Sequence, residues 1–109
     1  MPSPDALYDE AIAIQQAGDL EGAVAKLQAI LDQDANHALA HAALSVFYSR
    51  LERHEEAIEH GQRVCDLEPE DPFSYIALSL VCQKAGRIPA AERAMIQARQ
   101  AQVAVRRDP

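Results

Sequence analysis

The sequence repeats itself with a period of 34 residues. A small residue recurs as Ala23, Ala57 and Ala91, and a Leu-Ser pair at 44–45 returns at 78–79. A fixed period of this length indicates stacked units, each of which buries its apolar face against its neighbours. Such arrays present a long concave surface to other molecules, so the period favours binding over catalysis.

Each period is typical of two helices joined by a tight turn. In the first, Leu7, Ala11 and Ile14 form one apolar helical stripe, and Gly18-Asp19 ends the helix. The same reasoning along the chain predicts helices over residues 5–17, 20–31, 38–51, 54–67, 72–85 and 89–102, with a frayed tail after them.

The charge of the chain excludes several classes of partner. Its net charge is −7, which argues against nucleic acid and against anionic membrane surfaces, because both attract basic patches. The charge is also uneven: residues 1–71 hold fifteen acidic and four basic side chains, whereas residues 72–109 hold two acidic and six basic ones. The two ends of the array therefore differ in sign.

The cellular compartment follows from the N-terminus and the cysteines. No apolar run approaches the ~20 residues that a membrane-spanning helix needs, so membrane insertion is not expected. The N-terminal residues lack the basic start and apolar core of a signal peptide. Cys65 and Cys82 lie in apolar helical context, where reduced core thiols are the more common case. Together these features predict a cytoplasmic protein.

The repeats resemble those of the tetratricopeptide repeat (TPR) family. The features that carry the resemblance are small residues in the first helix, a Gly-containing turn, Ala early in the second helix and a linker proline. They stand here at Ala11, Ser45, Ser79, Gly18-Asp19, Gly86-Arg87, Ala23, Ala57, Ala91 and Pro69. The chain departs from the family pattern at three positions: Glu52 replaces a turn glycine, Ala35 a linker proline, and His41 the favoured Trp.

The resemblance implies an all-α fold, a right-handed α-solenoid of three helix–turn–helix repeats with six helices. It implies a single domain over residues 4–105, with repeats at about 4–37, 38–71 and 72–105, and a short frayed tail at 106–109. In the third repeat, Glu92 and Arg99 replace residues that are apolar in the earlier repeats. These charges predict a polar cap, and hence a complete array.

The family lines its concave face with the first helix of each repeat. The resemblance therefore implies a ligand-binding groove formed by Tyr8, Ile12, Leu39, Val46, Arg50, Phe73, Ile76, Leu80 and Lys84. Most of these side chains are apolar, which is typical of an interaction surface. A carboxylate clamp like that of chaperone-binding family members is not expected, because its positions are occupied here by Tyr8, Ile12, Ala43, Phe73 and Ala77.

The sequence thus predicts a protein–protein interaction module that binds a partner helix or extended segment through apolar contacts, with a role for an acidic partner residue. Two alternatives remain open: a self-associating scaffold stacked head to tail, and a small chaperone for apolar segments of secreted proteins. No catalytic residues, cofactor or metal site are expected. His37 and His41 are spaced as helical metal ligands, but a site would need a third ligand.

Overall fold

The computed structural model describes residues 2–107, except for the side chain of Arg107. Over this range the chain is helical, without strands, and forms six helices. They are α1 (Pro4–Gln16), α2 (Leu20–Gln33), α3 (Ala38–Arg50), α4 (His54–Leu67), α5 (Pro72–Lys84) and α6 (Ile88–Arg107). None of the described helices combines the length and the apolar character needed to cross a bilayer.

Polar side chains fix where several helices begin. Asp19 accepts a hydrogen bond from the Gly22 backbone N–H (2.9 Å), and Asp71 accepts one from the Phe73 N–H (3.0 Å). His37 has the same role at α3, because its Nδ1 atom accepts from the Ala40 N–H at 3.1 Å. These contacts satisfy donors that the first turn of a helix leaves without a backbone partner.

The turn within each repeat requires a left-handed backbone conformation. Gly18 and Gly86 adopt it with φ of 96° and 77°, as expected for glycines that end helices. Glu52 occupies the equivalent position in the second repeat with φ of 62°. The fold therefore imposes the turn even where the sequence lacks glycine, at a cost of about 1 kcal/mol or more.

Each helix packs mainly on its sequence neighbours, so three helix pairs stack in a row. The recurring alanines lie where the two helices of a pair approach: Ala23 and Ala57 are fully buried, and Ala91 is nearly so. In the second repeat the Ser45 hydroxyl donates a hydrogen bond to the Ala57 carbonyl oxygen at 2.8 Å. Small residues recur at this position because the helices come close together there.

The apolar core forms two clusters along the stack. The larger one joins α1, α2 and α3 with Ala57 of α4 and Val81 of α5. The smaller one joins Cys65 of α4 with Leu78 and Cys82 of α5 and with small residues of α6. The stack is therefore held together by contacts between adjacent helices, as a repeat array requires.

The last helix is longer than the sequence analysis predicted. The sequence predicted an end near Gln102 and a frayed tail over Val103 and beyond, but α6 continues to Arg107. Residues 103–107 contain Ala and Arg, which are good helix formers, and no glycine or proline. Ala101 is also buried, which anchors this part of the helix. Asp108 and Pro109, the rest of the expected tail, lie outside the described residues.

Candidate binding groove

Helices α3 and α5 are apolar on two faces, of which only one is buried. On α3, Leu44 and Phe47 are buried, whereas Val46 is 42% exposed. On α5, Leu78 is buried, whereas Phe73 is 73% and Leu80 is 60% exposed. The exposed side chains of the two helices lie on the same concave side, so together they form an open apolar surface.

A hollow of about 340 Å³ lies between α3 and α5. Gly61 and Val64 of α4 contribute to its lining, and Val46 and Leu80 contribute from the two walls. The remaining lining residues are mostly small: Ala42, Ser45, Ser49, Arg50, Ser74, Ala77, Val81 and Lys84. Small side chains here leave room for the side chains of a ligand.

A second hollow of about 270 Å³ continues the first toward the N-terminal ends of α3 and α5. Leu39 and Phe73 contribute large apolar side chains to it. Four residues line both hollows: Ala42, Val64, Ser74 and Ala77. The two hollows are therefore parts of one feature, called here the α3–α5 groove.

The groove carries opposite charges at its two ends. Arg50 and Lys84, in the last turns of α3 and α5, line one end. Glu68 and Asp71, in the linker before α5, line the other. Basic residues in a last turn also complement the helix dipole, so their position has a structural cause of its own. The groove is nevertheless basic at one end and acidic at the other, and this difference can orient a charged ligand.

Six of the nine predicted groove residues line this feature: Leu39, Val46, Arg50, Phe73, Leu80 and Lys84. Tyr8 and Ile12 do not; both are half-buried and pack against the core of the first repeat. Ile76 is half-buried and lines neither hollow. The structure thus concentrates the predicted surface on the second and third repeats.

Sequence reasoning missed the contribution of the second helix to the groove. Val64 and Gly61 belong to α4, whereas the resemblance implied a lining from first helices alone. The available signal was Gly61, which stands where the other repeats carry Leu27 and Met95. A Cβ atom at Gly61 would lie 3.1 Å from Ser45 Oγ and 3.2 Å from Leu78 Cδ1, so close packing explains the glycine.

Two histidine rings meet on the packing side of α3. His41 Nδ1 lies 2.9 Å from His60 Nδ1, and His41 Nε2 lies 2.8 Å from the Ala35 carbonyl oxygen. His60 also stacks on Tyr48, with ring centroids 5.6 Å apart. Glu56, one helical turn before His60 on α4, pairs with Arg53. His41, at the position where the family favours Trp, is a packed residue.

The described residues include no group of three or more side chains placed to bind a metal ion. The two cysteines are free and buried. Burial raises the pKa of the Cys65 thiol to about 11, so the reactive thiolate is scarce at neutral pH.

These observations define the class of structure: an α-solenoid of three stacked helix pairs with the fold of tetratricopeptide-repeat proteins, as the sequence predicted. Known structures share it. The second TPR domain of Spaghetti (RPAP3), bound to the HSP90 peptide SRMEEVD, matches with a TM-score of 0.80 and 15% identity, covering 91% of this chain and 92% of that one. SycD, the type III secretion translocator chaperone of Yersinia enterocolitica, described as an alternative dimer, matches with a TM-score of 0.81 and 18% identity over 97% of this chain and 78% of that one.

MamA from Desulfovibrio magneticus RS-1 matches with a TM-score of 0.80 and 23% identity over 91% of this chain. The match covers 56% of that MamA chain, so the present chain spans little more than half its length. No protein-family model and no curated protein sequence matches the chain. Identities this low show a shared fold, which many unrelated functions use.

Proposed function

We propose that the chain is a protein-interaction module that binds an apolar segment of a partner protein in the α3–α5 groove. The observation that carries this proposal is that large apolar side chains remain exposed beside a hollow whose walls are helices. Exposed apolar patches of this kind usually mark interaction sites. Binding sites in turn favour concave, mostly apolar surfaces with a few polar groups.

The lining of the groove defines the chemistry of the ligand. Val46 and Leu80 face a space suited to apolar side chains, presented by a helix or an extended strand. Arg50 and Lys84 favour an acidic residue at one end of the ligand. Glu68 and Asp71 disfavour a second acidic residue at the other end. The ligand is therefore an apolar segment whose acidic residue sets its direction of binding.

Phe73 is proposed as the main anchor for the ligand. It is 73% exposed although it is a large aromatic residue, and it lies on a helix rather than on a mobile loop. Aromatic residues contribute disproportionately to binding energy at protein interfaces. Burial of this ring under a ligand would also remove apolar surface from water, which stabilises the complex.

A peptide-display selection with the full chain tests the proposal. We expect enriched peptides to carry apolar residues at helical or alternating spacing together with an acidic residue at one end. For a selected peptide, Phe73→Ala should weaken affinity by more than about 1 kcal/mol, roughly fivefold, measured by calorimetry. Val46→Glu should weaken it similarly, because the new carboxylate would lie unpaired against apolar groups.

A matched control comes from α6, which contributes no lining residue to the groove. Ile96 on α6 is 54% exposed, similar to Leu80, but it lies outside the groove. Ile96→Ala should leave peptide affinity unchanged while Leu80→Ala reduces it. Equal loss in both variants, or peptide binding that survives Phe73→Ala and Val46→Glu, would mean that the binding surface lies elsewhere.

A chaperone for apolar segments of secreted proteins is a second candidate. The fold likeness to SycD, a translocator chaperone, supports it, since it covers 97% of this chain. A chaperone would also suppress light scattering by an unfolded apolar polypeptide at equimolar ratio, whereas an adaptor would bind its folded partner without that effect. Loss of this suppression in Phe73→Ala would link it to the groove.

We also propose that the chain acts in the cytoplasm and without catalysis. Two buried free thiols suit a reducing compartment. Fractionation of cells that express the full-length protein tests the location. Recovery from an oxidising compartment would contradict it.

A further inference from the structure

The first helix of the stack leaves exposed the positions at which later first helices pack on the preceding repeat. Leu78 of α5 packs on the preceding repeat, since a Cβ atom at Gly61 would lie 3.2 Å from its Cδ1. Leu44 holds the equivalent position in α3 and is fully buried. In α1 this position is Glu10, which is exposed. The first helix thus exposes the surface that the later repeats cover.

Neighbouring positions of α1 show the same difference. Ala6 and Ala13 are exposed, although their equivalents in the later repeats are buried. Those equivalents are Ala40, Phe47, Ser74 and Val81. Ala6 and Ala13, on either side of Glu10, are therefore small residues that another helix could approach closely, with the exposed acidic side chains of Asp5 and Asp9 beside them.

The outer face of α6 is the matching surface at the other end. Cys65 of α4 is buried against α5, but its equivalent in α6 is Arg99, which is exposed. Around Arg99, the side chains of Ile88, Ile96 and Val103 are 50%, 54% and 46% exposed. The predicted polar cap is therefore incomplete, because an apolar stripe runs beside the charges.

Charge distinguishes the two ends. Residues 4–33 hold six acidic side chains and one basic one, whereas α6 holds one acidic and four basic side chains. Glu10 now pairs with Lys26 at 3.2 Å, an exposed contact that can be exchanged at little cost. The front of one molecule and the rear of another are thus complementary in sign.

We propose that a second copy of this chain covers the outer face of α6, with its α1 packed there as α5 packs on α4. Leu78 and Cys65 belong to one packed cluster in the existing interface. Their equivalents are Glu10 on the front and Arg99 on the rear. In the stack, Glu10 of the second copy therefore meets Arg99 of the first, and the apolar stripe of α6 is covered by the small residues of α1.

This arrangement is heterologous, because each copy uses a different surface at each end, so the stack can grow without closing. One exposed ion pair and a narrow apolar stripe make each contact weak. The association should therefore depend on protein concentration and should weaken in salt, since the screening length falls to roughly 3 Å at 1 M. The groove remains free in such a stack, so the proposal is independent of ligand binding.

Sedimentation velocity of the full chain tests the proposal in low salt. We expect the weight-average mass to rise with concentration and to return to the monomer value in 1 M salt. Glu10→Arg and Arg99→Glu should each weaken self-association about tenfold. Glu59→Arg, a reversal of an exposed charge away from both ends, is the matched control and should have no effect.

Mixing provides the decisive measurement. When the Glu10→Arg and Arg99→Glu variants are combined, the unchanged Arg99 of one can meet the unchanged Glu10 of the other. The two reversed charges also oppose each other in sign, so the mixture should associate although neither variant does so alone. Circular dichroism shows whether both variants remain folded.

Three results would overturn the proposal. One is a wild-type protein that stays monomeric at every concentration in low salt. Another is a mixture that stays monomeric while both variants are folded. The third is association that strengthens with salt and disappears in Phe73→Ala, since that pattern would place the contact in the groove.

Discussion

Leu78 and Leu80 are two residues apart on α5, yet one is 5% exposed and the other 60%. The same contrast separates Leu44 from Val46 on α3. The apolar content of these helices therefore does not distinguish a packing face from a concave face. What distinguishes them is whether a neighbouring helix covers the side chain: Leu44 and Leu78 are covered, whereas Val46 and Leu80 are not.

The packing face carries Ser45 and Ser79 where the helices of a pair meet, and Ala57 and Ala91 lie at the equivalent sites of the second helices. These residues allow close approach, and the large apolar side chains beside them become buried. The concave face carries large side chains at an opening that no helix of the described chain fills. Stability and binding thus depend on adjacent faces of the same helices, which meet at residues such as Ser45, a groove-lining residue that also hydrogen-bonds to α4.

Truncation of the two leucines should separate these roles most clearly. Leu78→Ala should destabilise the protein by about 2–5 kcal/mol, because it leaves a cavity between repeats. Leu80→Ala should change stability by less than about 0.5 kcal/mol, since its side chain is largely in water already. Urea unfolding followed by circular dichroism measures both. Equal effects would show that the concave face belongs to the core.

Overfilling the packing face should have the next largest effect. Ala57 is fully buried, so Ala57→Leu should destabilise by about 1–3 kcal/mol through overpacking. Ala25 on α2 is exposed, and Ala25→Leu is the control for adding the same side chain to a helix surface. Thermal melting should show a clear decrease for the first variant and almost none for the second. No decrease for Ala57→Leu would contradict the close helix contact.

The sequence was sufficient for the fold because the period, the small residues and the turn glycines all act locally. It also placed Val46, Phe73 and Leu80 on an exposed face. It could not show that Tyr8 and Ile12 pack on the core, because the burial of a helical side chain depends on which neighbouring helix covers it. The His41–His60 contact was equally inaccessible, since residues on two helices meet through packing rather than spacing.

A smaller contrast lies within the packing face itself. The Ser45 hydroxyl donates to the Ala57 carbonyl oxygen at 2.8 Å, whereas the Ser79 hydroxyl is buried without a hydrogen-bond partner among the described residues. Ser45→Ala should therefore destabilise by about 1 kcal/mol, and Ser79→Ala should be neutral or stabilising. The urea midpoints of the two variants measure both changes in stability. A larger loss at Ser79 than at Ser45 would refute the assigned hydrogen bonding.

The smallest predicted effect depends on pH and arises at the histidine pair. Because His41 Nε2 lies 2.8 Å from a carbonyl oxygen, it donates its proton there when the ring is neutral. His41 Nδ1 then accepts from His60 Nδ1–H. If both rings were protonated, two N–H donors would face each other at 2.9 Å, so the folded pair disfavours the second proton.

Burial, followed by the proximity of His41, lowers the pKa of His60 below its ordinary value, against a smaller opposing effect of Glu59 and Glu56. The unfolded chain therefore binds this proton more readily, and stability should fall as pH decreases from about 7.5 through the ordinary histidine pKa near 6.5. His60→Gln should flatten this slope in urea unfolding, whereas His54→Gln, which keeps the pair, should not. A slope unchanged by His60→Gln would assign the acid sensitivity to other groups.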